Sequence, residues 1–238
     1  MILYKYYPCN EYTYRSISEL GLWLGRITDM NDPFDCLRQL NINYELSLQD
    51  FLQKKTFEFS ENMLTHMFAN VRRMAIENFT FCSLTEDPFN ILMWSHYANS
   101  HQGIVLGIEL NENDISTSLV EKVEYKNNLP LVDIEYLKRI FSVINIFSLP
   151  NSEWKQFYQY LSLKTLDWSY EKEWRIWGGK TPKYLNYINT DIKSIYFGLR
   201  CPEETKTLVK SILRGHCVSD DVYHDIKIET DPEIRLII

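Results

Sequence analysis

Apolar residues recur along the 238-residue chain in two rhythms, and the places where one gives way to the other mark out the elements. Short apolar or alternating runs read as strands at ILYKYY (2–7), LWLGRI (22–27), FTFCS (79–83), GIVLGIEL (103–110), KVEY (122–125) and IKSIYFGL (192–199). From 47 to 78 the rhythm is helical, because Met63, Leu64, Met67, Phe68, Val71, Met74 and Ala75 recur at spacings of three and four. His66, Arg72 and Arg73 fall off that stripe and read as a solvated face. Two further amphipathic stretches, near 133–147 and 152–166, extend the helical share.

Boundary chemistry sharpens this picture. Ser16-x-x-Glu19 resembles a capping box, and Asp87-Pro88 supplies a cap and a first-turn proline for a helix carrying Asn90 to His101 and ending at Gly103. Thr28 to Cys36 is acidic turn chemistry in which Pro33 biases Asp32 away from helix. Pro202 to Arg214 reads as a helix stopped by Gly215, followed by closing strands in VYHDIKIE and IRLII. The pattern predicts one α+β domain over 1–238, with a mixed, split β-sheet and flanking helices.

The densest stretch of charge and aromatic rings is DWSYEKEWRIWGG, 167–179, which reads as a strand over 171–177. Period-two alternation places Glu171, Glu173, Arg175 and Trp177 on one face and Lys172, Trp174 and Ile176 on the other. A row of two carboxylates and a guanidinium cannot be buried without partners. Two readings follow: a structural ion-pair ladder, or a wall that faces a ligand.

Composition narrows the options. A net charge of -7 opposes broad nucleic-acid affinity, since that depends on Lys and Arg neutralising phosphates. Five cysteines without a C-x-x-C pair read as reduced thiols rather than a disulfide framework or zinc ribbon. The start lacks a signal-peptide pattern and no run approaches the ~20 apolar residues of a membrane helix, so a soluble cytoplasmic protein is expected.

NDPFDC, SLTEDPFNILMWSHYANSHQG and WSYEKEWR, running in order between YKYY and SIYFGL, resemble the bacterial domain family of unknown function DUF2971. That resemblance implies a shared fold and a bacterial cytosolic protein with a role in phage defence. A weaker likeness concerns mechanism: Glu171-Lys172-Glu173 is similar to the Glu-x-Glu signature of arginine-directed ADP-ribosyltransferases. It implies an ADP-ribosyltransferase-like fold and a toxin-like effector that consumes NAD. Ser83 takes the place of that family's strand-borne serine, and Lys5 or Arg15 that of its early basic residue. The serine block departs from the family pattern, being CSLT where Ser-Thr-Ser is usual.

On this likeness Glu173 stabilises the oxocarbenium-like charge at the ribose, and Glu171 orients or deprotonates a protein or nucleic-acid acceptor, or water. Lys5, Ser83 and Arg175 are expected to contact NAD, with Tyr7, Trp94, His96 and Tyr97 supplying rings and polar contacts around it. No G-x-G-x-x-G or P-loop motif offers another nucleotide site. Two alternatives stand beside it. One is a non-enzymatic protein-binding module in which NDPFD and the WSHY helix only lock the fold. The other is a metal hydrolase or nuclease gathering Asp32, Asp35, His96, His101 and Glu171, although His96 and His101 are five apart rather than four. Nucleophilic catalysis by Cys82 or Ser83 lacks a G-x-S-x-G elbow. With no metal-ligand spacing present, no metal is expected, and melting curves with and without a chelator should coincide.

Overall fold

A computed structural model describes residues 1–32, 35–36, 66, 73, 77, 79–110, 120–127, 158–159, 161–178, 183–186, 192–216, 218–229 and 235–238. Thirteen strands and three α-helices are defined among them. The central strands are β1 (Ile2–Tyr7), β2 (Gly21–Arg26), β3 (Thr80–Thr85) and β4 (Ile104–Glu109). Next come β5 (Val120–Lys122), β6 (Glu124–Lys126), β7 (Leu163–Thr165), β8 (Glu173–Gly178) and β9 (Lys183–Asn186). The C-terminal part adds β10 (Ile192–Phe197), β11 (Tyr223–Asp225), β12 (Lys227–Glu229) and β13 (Arg235–Ile237). The helices are α1 (Glu11–Ser18), α2 (Ile91–Tyr97) and α3 (Glu203–Arg214).

The main sheet runs β11-β10-β4-β1-β3-β2-β9, with β8 also on β3 and β5 on β8. It is mostly antiparallel, the parallel exception within it being β10 with β11. A fork forms at β3. One edge of β3 pairs with β8 along its whole length, from Thr80 opposite Gly178 to Thr85 opposite Glu173. The other edge is divided: Thr80 and Phe81 pair with β2, and Thr85 pairs with Tyr4 of β1. The carbonyl of Ser83, lying between those two partners, accepts a 2.9 Å hydrogen bond from Lys5 Nζ instead of from a strand.

Alternation along the strands produces two cores. Leu3, Tyr7, Leu84, Leu106 and Ile176 share one face with Ile17 of α1 and with Val209 and Leu213 of α3. Tyr6, Val105 and Tyr196 point the other way, against Met93, Trp94 and Ala98 on and just after α2. The sequence-based split of β8 holds, since Ile176 and Trp174 belong to the first face while Glu173, Arg175 and Trp177 point to the other.

Several boundaries differ from expectation. Helix α1 is capped by Asn10, whose side chain accepts from the Thr13 backbone, so Ser16 lies inside the helix rather than at its start. Likewise Asn90 caps α2, accepting from Leu92 and Met93, while Asp87 forms a local turn by accepting from Phe89 N. That helix ends at Tyr97 because Asn99, Ser100 and His101 are all left-handed. Residues 163–165, inside the expected 152–166 helix, form β7, and Leu166–Glu171 is a 3-10 turn, so the strand starts at Glu173 rather than 171. The expected helix over 133–147 lies outside the described residues, as does 47–78 apart from His66, Arg73 and Glu77, which are helical and exposed. Cys9, Cys36, Cys82 and Cys201 are free thiols, and no described helix is long and apolar enough to cross a membrane.

Gly103 sits where the chain leaving α2 packs against β1. A Cβ there would overlap the Tyr7 carbonyl oxygen and lie 3.0 Å from that of Ala98, both backbone atoms that cannot swing away. Gly103→Ala should therefore cost roughly 1–3 kcal/mol, as overpacking generally does. A melting temperature equal to wild type in thermal unfolding would contradict this.

Candidate functional site

The chain entering β8 builds the site. The 3-10 turn Leu166–Glu171 closes on Lys172, whose left-handed backbone (φ 44°, ψ 47°) redirects it into the strand. For a residue with a Cβ this conformation costs on the order of 1–2 kcal/mol. The surroundings hold it: Lys172 Nζ reaches Asp87 at 2.9 Å, Glu86 N donates to the Lys172 carbonyl, and Thr85 Oγ1 donates to that of Glu171. Glu171 and Glu173 consequently turn inward on either side of an outward lysine.

What they meet is a buried ionic network. Arg175, with no exposed surface, donates to Asp35 through Nη2 at 2.6 and 2.9 Å, and to Glu173 through Nε at 2.9 Å and Nη2 at 3.1 Å. Its Nη1 bonds the Leu161 carbonyl and approaches Cys36 Sγ at 3.0 Å, and its Cζ lies 4.6 Å from the centre of the Phe81 ring. Lys164 of β7 places its ammonium 2.6 Å from Glu171, 2.7 Å from Glu173 and 3.4 Å from Asp35. Sequence reasoning missed Lys164, since a three-residue strand gives no readable period. Asp35, which the sequence offers only as a loop acid and a candidate metal ligand, is here the ion-pair partner of Arg175.

The two glutamates differ in how completely they are paired. Each Glu173 oxygen accepts twice: Oε1 from Ser83 Oγ at 2.6 Å and from Arg175, Oε2 from Lys164 and from Arg175. Among the described residues each Glu171 oxygen accepts once, Oε1 from Tyr97 OH at 2.6 Å and Oε2 from Lys164. Burial raises the proton affinity of both carboxyls. For Glu173 the neighbouring Arg175 and Lys164 charges outweigh burial, so its pKa falls below the ordinary carboxylate value. For Glu171 burial prevails over Lys164, with Glu173 adding repulsion, and its pKa rises. Burial also raises the Tyr97 hydroxyl, aided by Glu171, so it remains a donor to that carboxylate.

These groups border a cavity of about 280 Å³ on the α2 face of the sheet, beside the fork. Lys164, Glu171, Glu173 and Asp35 form its buried wall; Tyr4, Tyr6, Met93 and Tyr97 add rings and a thioether; Asp29 and Asn31 lie at its exposed side. Lys5 and Ser83 also reach it.

Of the residues expected to form a site, the structure brings together Lys5, Ser83, Tyr97, Glu171 and Glu173. The others lie elsewhere. Tyr7 is in the opposite core with its hydroxyl on Ser16 Oγ at 2.8 Å, and Trp94 is fully buried with its indole N–H on the Pro88 carbonyl. His96 is exposed beside the edge of Tyr97, and Arg175 stands behind the carboxylates rather than on the cavity lining. Arg15 pairs with Glu19 on the surface, leaving Lys5 as the early basic residue at the cavity. Of the metal set, Asp35 and Glu171 approach through Lys164, whereas His101 stacks on Trp94. Among the described residues no group of three His, Cys, Asp or Glu is arranged to hold a metal ion.

Fold and site thus define a mostly antiparallel α/β protein with an ion-paired carboxylate cavity at a forked sheet. Residues 93–176 match the model of the family described as protein of unknown function (DUF2971), which bears out that resemblance over this segment. The match includes Tyr97, Lys164, Glu171, Glu173 and Arg175, while Lys5, Asp35 and Ser83 precede it. No curated protein and no solved structure matches the chain.

Removing one partner of a buried pair strands the other, so Arg175→Met should cost about 3–5 kcal/mol. Glu173→Gln should cost about 2–4 kcal/mol on the same ground, and Glu171→Gln, with fewer partners, less. The depressed Glu173 pKa contributes stability that is present above the unfolded value of about 4.3 and lost as pH falls through the folded value. Glu171 has the opposite sign, its contribution being full below the unfolded value and lost as pH rises through the raised one. Melting curves from pH 7 down to 3 should show an acid-side loss of stability that Glu173→Gln diminishes and Glu171→Gln preserves.

Proposed function

We propose that the protein binds NAD with its nicotinamide riboside end in this cavity and transfers ADP-ribose to an acceptor or to water. The observation that carries the reading is the convergence of Lys5, Ser83 and the Glu171-x-Glu173 pair from three separated strands or strand ends, with the Ser83 hydroxyl bonded to Glu173. The fork at β3 supports the split-sheet, ADP-ribosyltransferase-like fold expected with that activity. At about 280 Å³ the cavity is at the small end of ligand sites, which suits a ring and a sugar rather than the whole dinucleotide.

The partner pattern assigns the roles. Glu173, already accepting four hydrogen bonds, acts through its fixed negative charge, which stabilises positive charge growing at the ribose as the bond from C1′ to nitrogen breaks. Nicotinamide leaves with the bonding electron pair. Ser83, whose proton is given to Glu173, keeps lone pairs to accept from a ribose hydroxyl. Glu171 has room for another hydrogen bond and takes the proton of the acceptor or water as its oxygen or nitrogen bonds C1′. The unknown acceptor approaches past Asp29 and Asn31, on the exposed side.

The full pairing of Glu173 and Arg175 favours a second reading, a non-enzymatic binding module whose network only fixes the fold. Nicotinamide release and melting temperature measured on the same preparations separate the two. The expected result is NAD consumption by wild type and a loss of about 10²-fold or more in Glu171→Gln at nearly unchanged stability. A wild-type protein that neither binds nor consumes NAD, with Glu173→Gln merely melting early, would establish the binding module instead.

A further inference from the structure

The network beside the cavity is not neutral. Three buried carboxylates, Asp35, Glu171 and Glu173, face two buried cations, Lys164 and Arg175. Arg175 is committed to Asp35 and Glu173, and Lys164 is shared among all three. Two more charged groups on the lining, Lys5 and Asp29, have opposite signs, with Lys5 bonded to the Ser83 carbonyl and Asp29 exposed at the far side. Among the described residues one negative charge is therefore left over, and the Glu171 oxygens, each accepting a single hydrogen bond there, place it at Glu171.

A surplus charge inside a protein is costly, and it is met either by a proton or by an opposite charge. The rest of the cavity lining suits the second. Tyr4, Tyr6 and Tyr97 present aromatic rings and Met93 a polarizable thioether, groups that favour a flat or soft cation over a compact hydrated ion. The Tyr97 hydroxyl is spent on Glu171, and that of Tyr6 donates to the Asp87 carbonyl, which leaves their faces rather than their hydroxyls for a ligand.

We propose that the cavity is a site for a compact, planar organic cation held against Glu171, so that it takes the pyridinium form of a nicotinamide ring in preference to neutral or anionic rings of the same shape. This rests on the NAD reading for the identity of the ring, but not for the charge selection. The ligand replaces the proton that Glu171 otherwise attracts, and binding is coupled to proton release. Among the described residues the other titratable groups around Glu171 are Lys164, Glu173, Tyr97 and the neighbouring Tyr170, with Asp35 and Arg175 behind them and Tyr125 bonded at the Glu173 backbone. Among these groups Glu171 is the carboxylate with unfilled acceptor capacity, and so the one whose ionisation the ligand controls.

Calorimetric titration with 1-methylnicotinamide, nicotinamide and nicotinate, in two buffers of different ionisation enthalpy, tests this. The cation should bind at least tenfold more tightly than nicotinamide, nicotinate more weakly than either, and only the cation should show buffer-dependent proton release. Glu171→Gln should erase the preference. The wild-type pH profile serves as an arm independent of any substitution: affinity for 1-methylnicotinamide should rise as Glu171 ionises while that for nicotinamide stays flat. Equal affinities, no binding by any of the three, a flat pH profile for the cation, or a preference that survives in a folded Glu171→Gln protein would each overturn the proposal. NAD turnover without cation preference would remove this inference alone. Cation preference without any NAD turnover would leave it standing and remove the transferase reading.

Discussion

A guanidinium with no solvent contact must have its charge and its planar fork of donors answered from within. Arg175 is such a group, and the answer comes from far along the chain: Asp35 and Cys36 from the acidic loop, the Leu161 carbonyl beside β7, and Glu173 from its own strand. This single requirement draws the loop after β2, the approach to β7 and the start of β8 to one point. The aromatic faces of Phe81 and Trp177 close around the same cation. Once Arg175 is placed, Glu173 is placed, and through Ser83 and Lys164 so is the wall of the cavity.

The same constraint sets the two glutamates apart. They are two residues from each other and equally hidden, yet one is surrounded by donors and the other is not. Distance from Arg175 decides this, because Lys164 serves both but the guanidinium reaches only Glu173. A shared lysine between unequal carboxylates gives one group fixed as an anion and one whose charge responds to its surroundings.

Much of the frame was readable in the residues. The strands at 2–7, 104–109 and 192–197 carry mostly apolar or aromatic runs, and the facing of Glu173, Arg175 and Trp177 follows from alternation alone. Short elements were not readable: β7 and the 3-10 turn before β8 are too brief to show a period, which hid Lys164 and placed Glu171 in a strand it does not join. Caps were misplaced by a few residues because Ser16 and Asp87 have the right chemistry, while Asn10 and Asn90 have the right geometry. Tyr7 and Trp94 show another limit. An aromatic ring that packs and one that stacks on a ligand look alike in one dimension, and only the partners of their polar atoms, Ser16 and Pro88, tell them apart.

The fork at β3 has a mechanical side. The arm of β2 and β9 and the arm of β1, β4, β10 and β11 both grip β3, but at opposite ends, and between them the Lys5 ammonium stands in for a strand. A backbone ladder resists shear through many parallel bonds, whereas a single flexible side chain does not. The two arms are therefore joined across the crease between them by that side chain and by the core they share on the opposite face, and the crease runs beside the cavity.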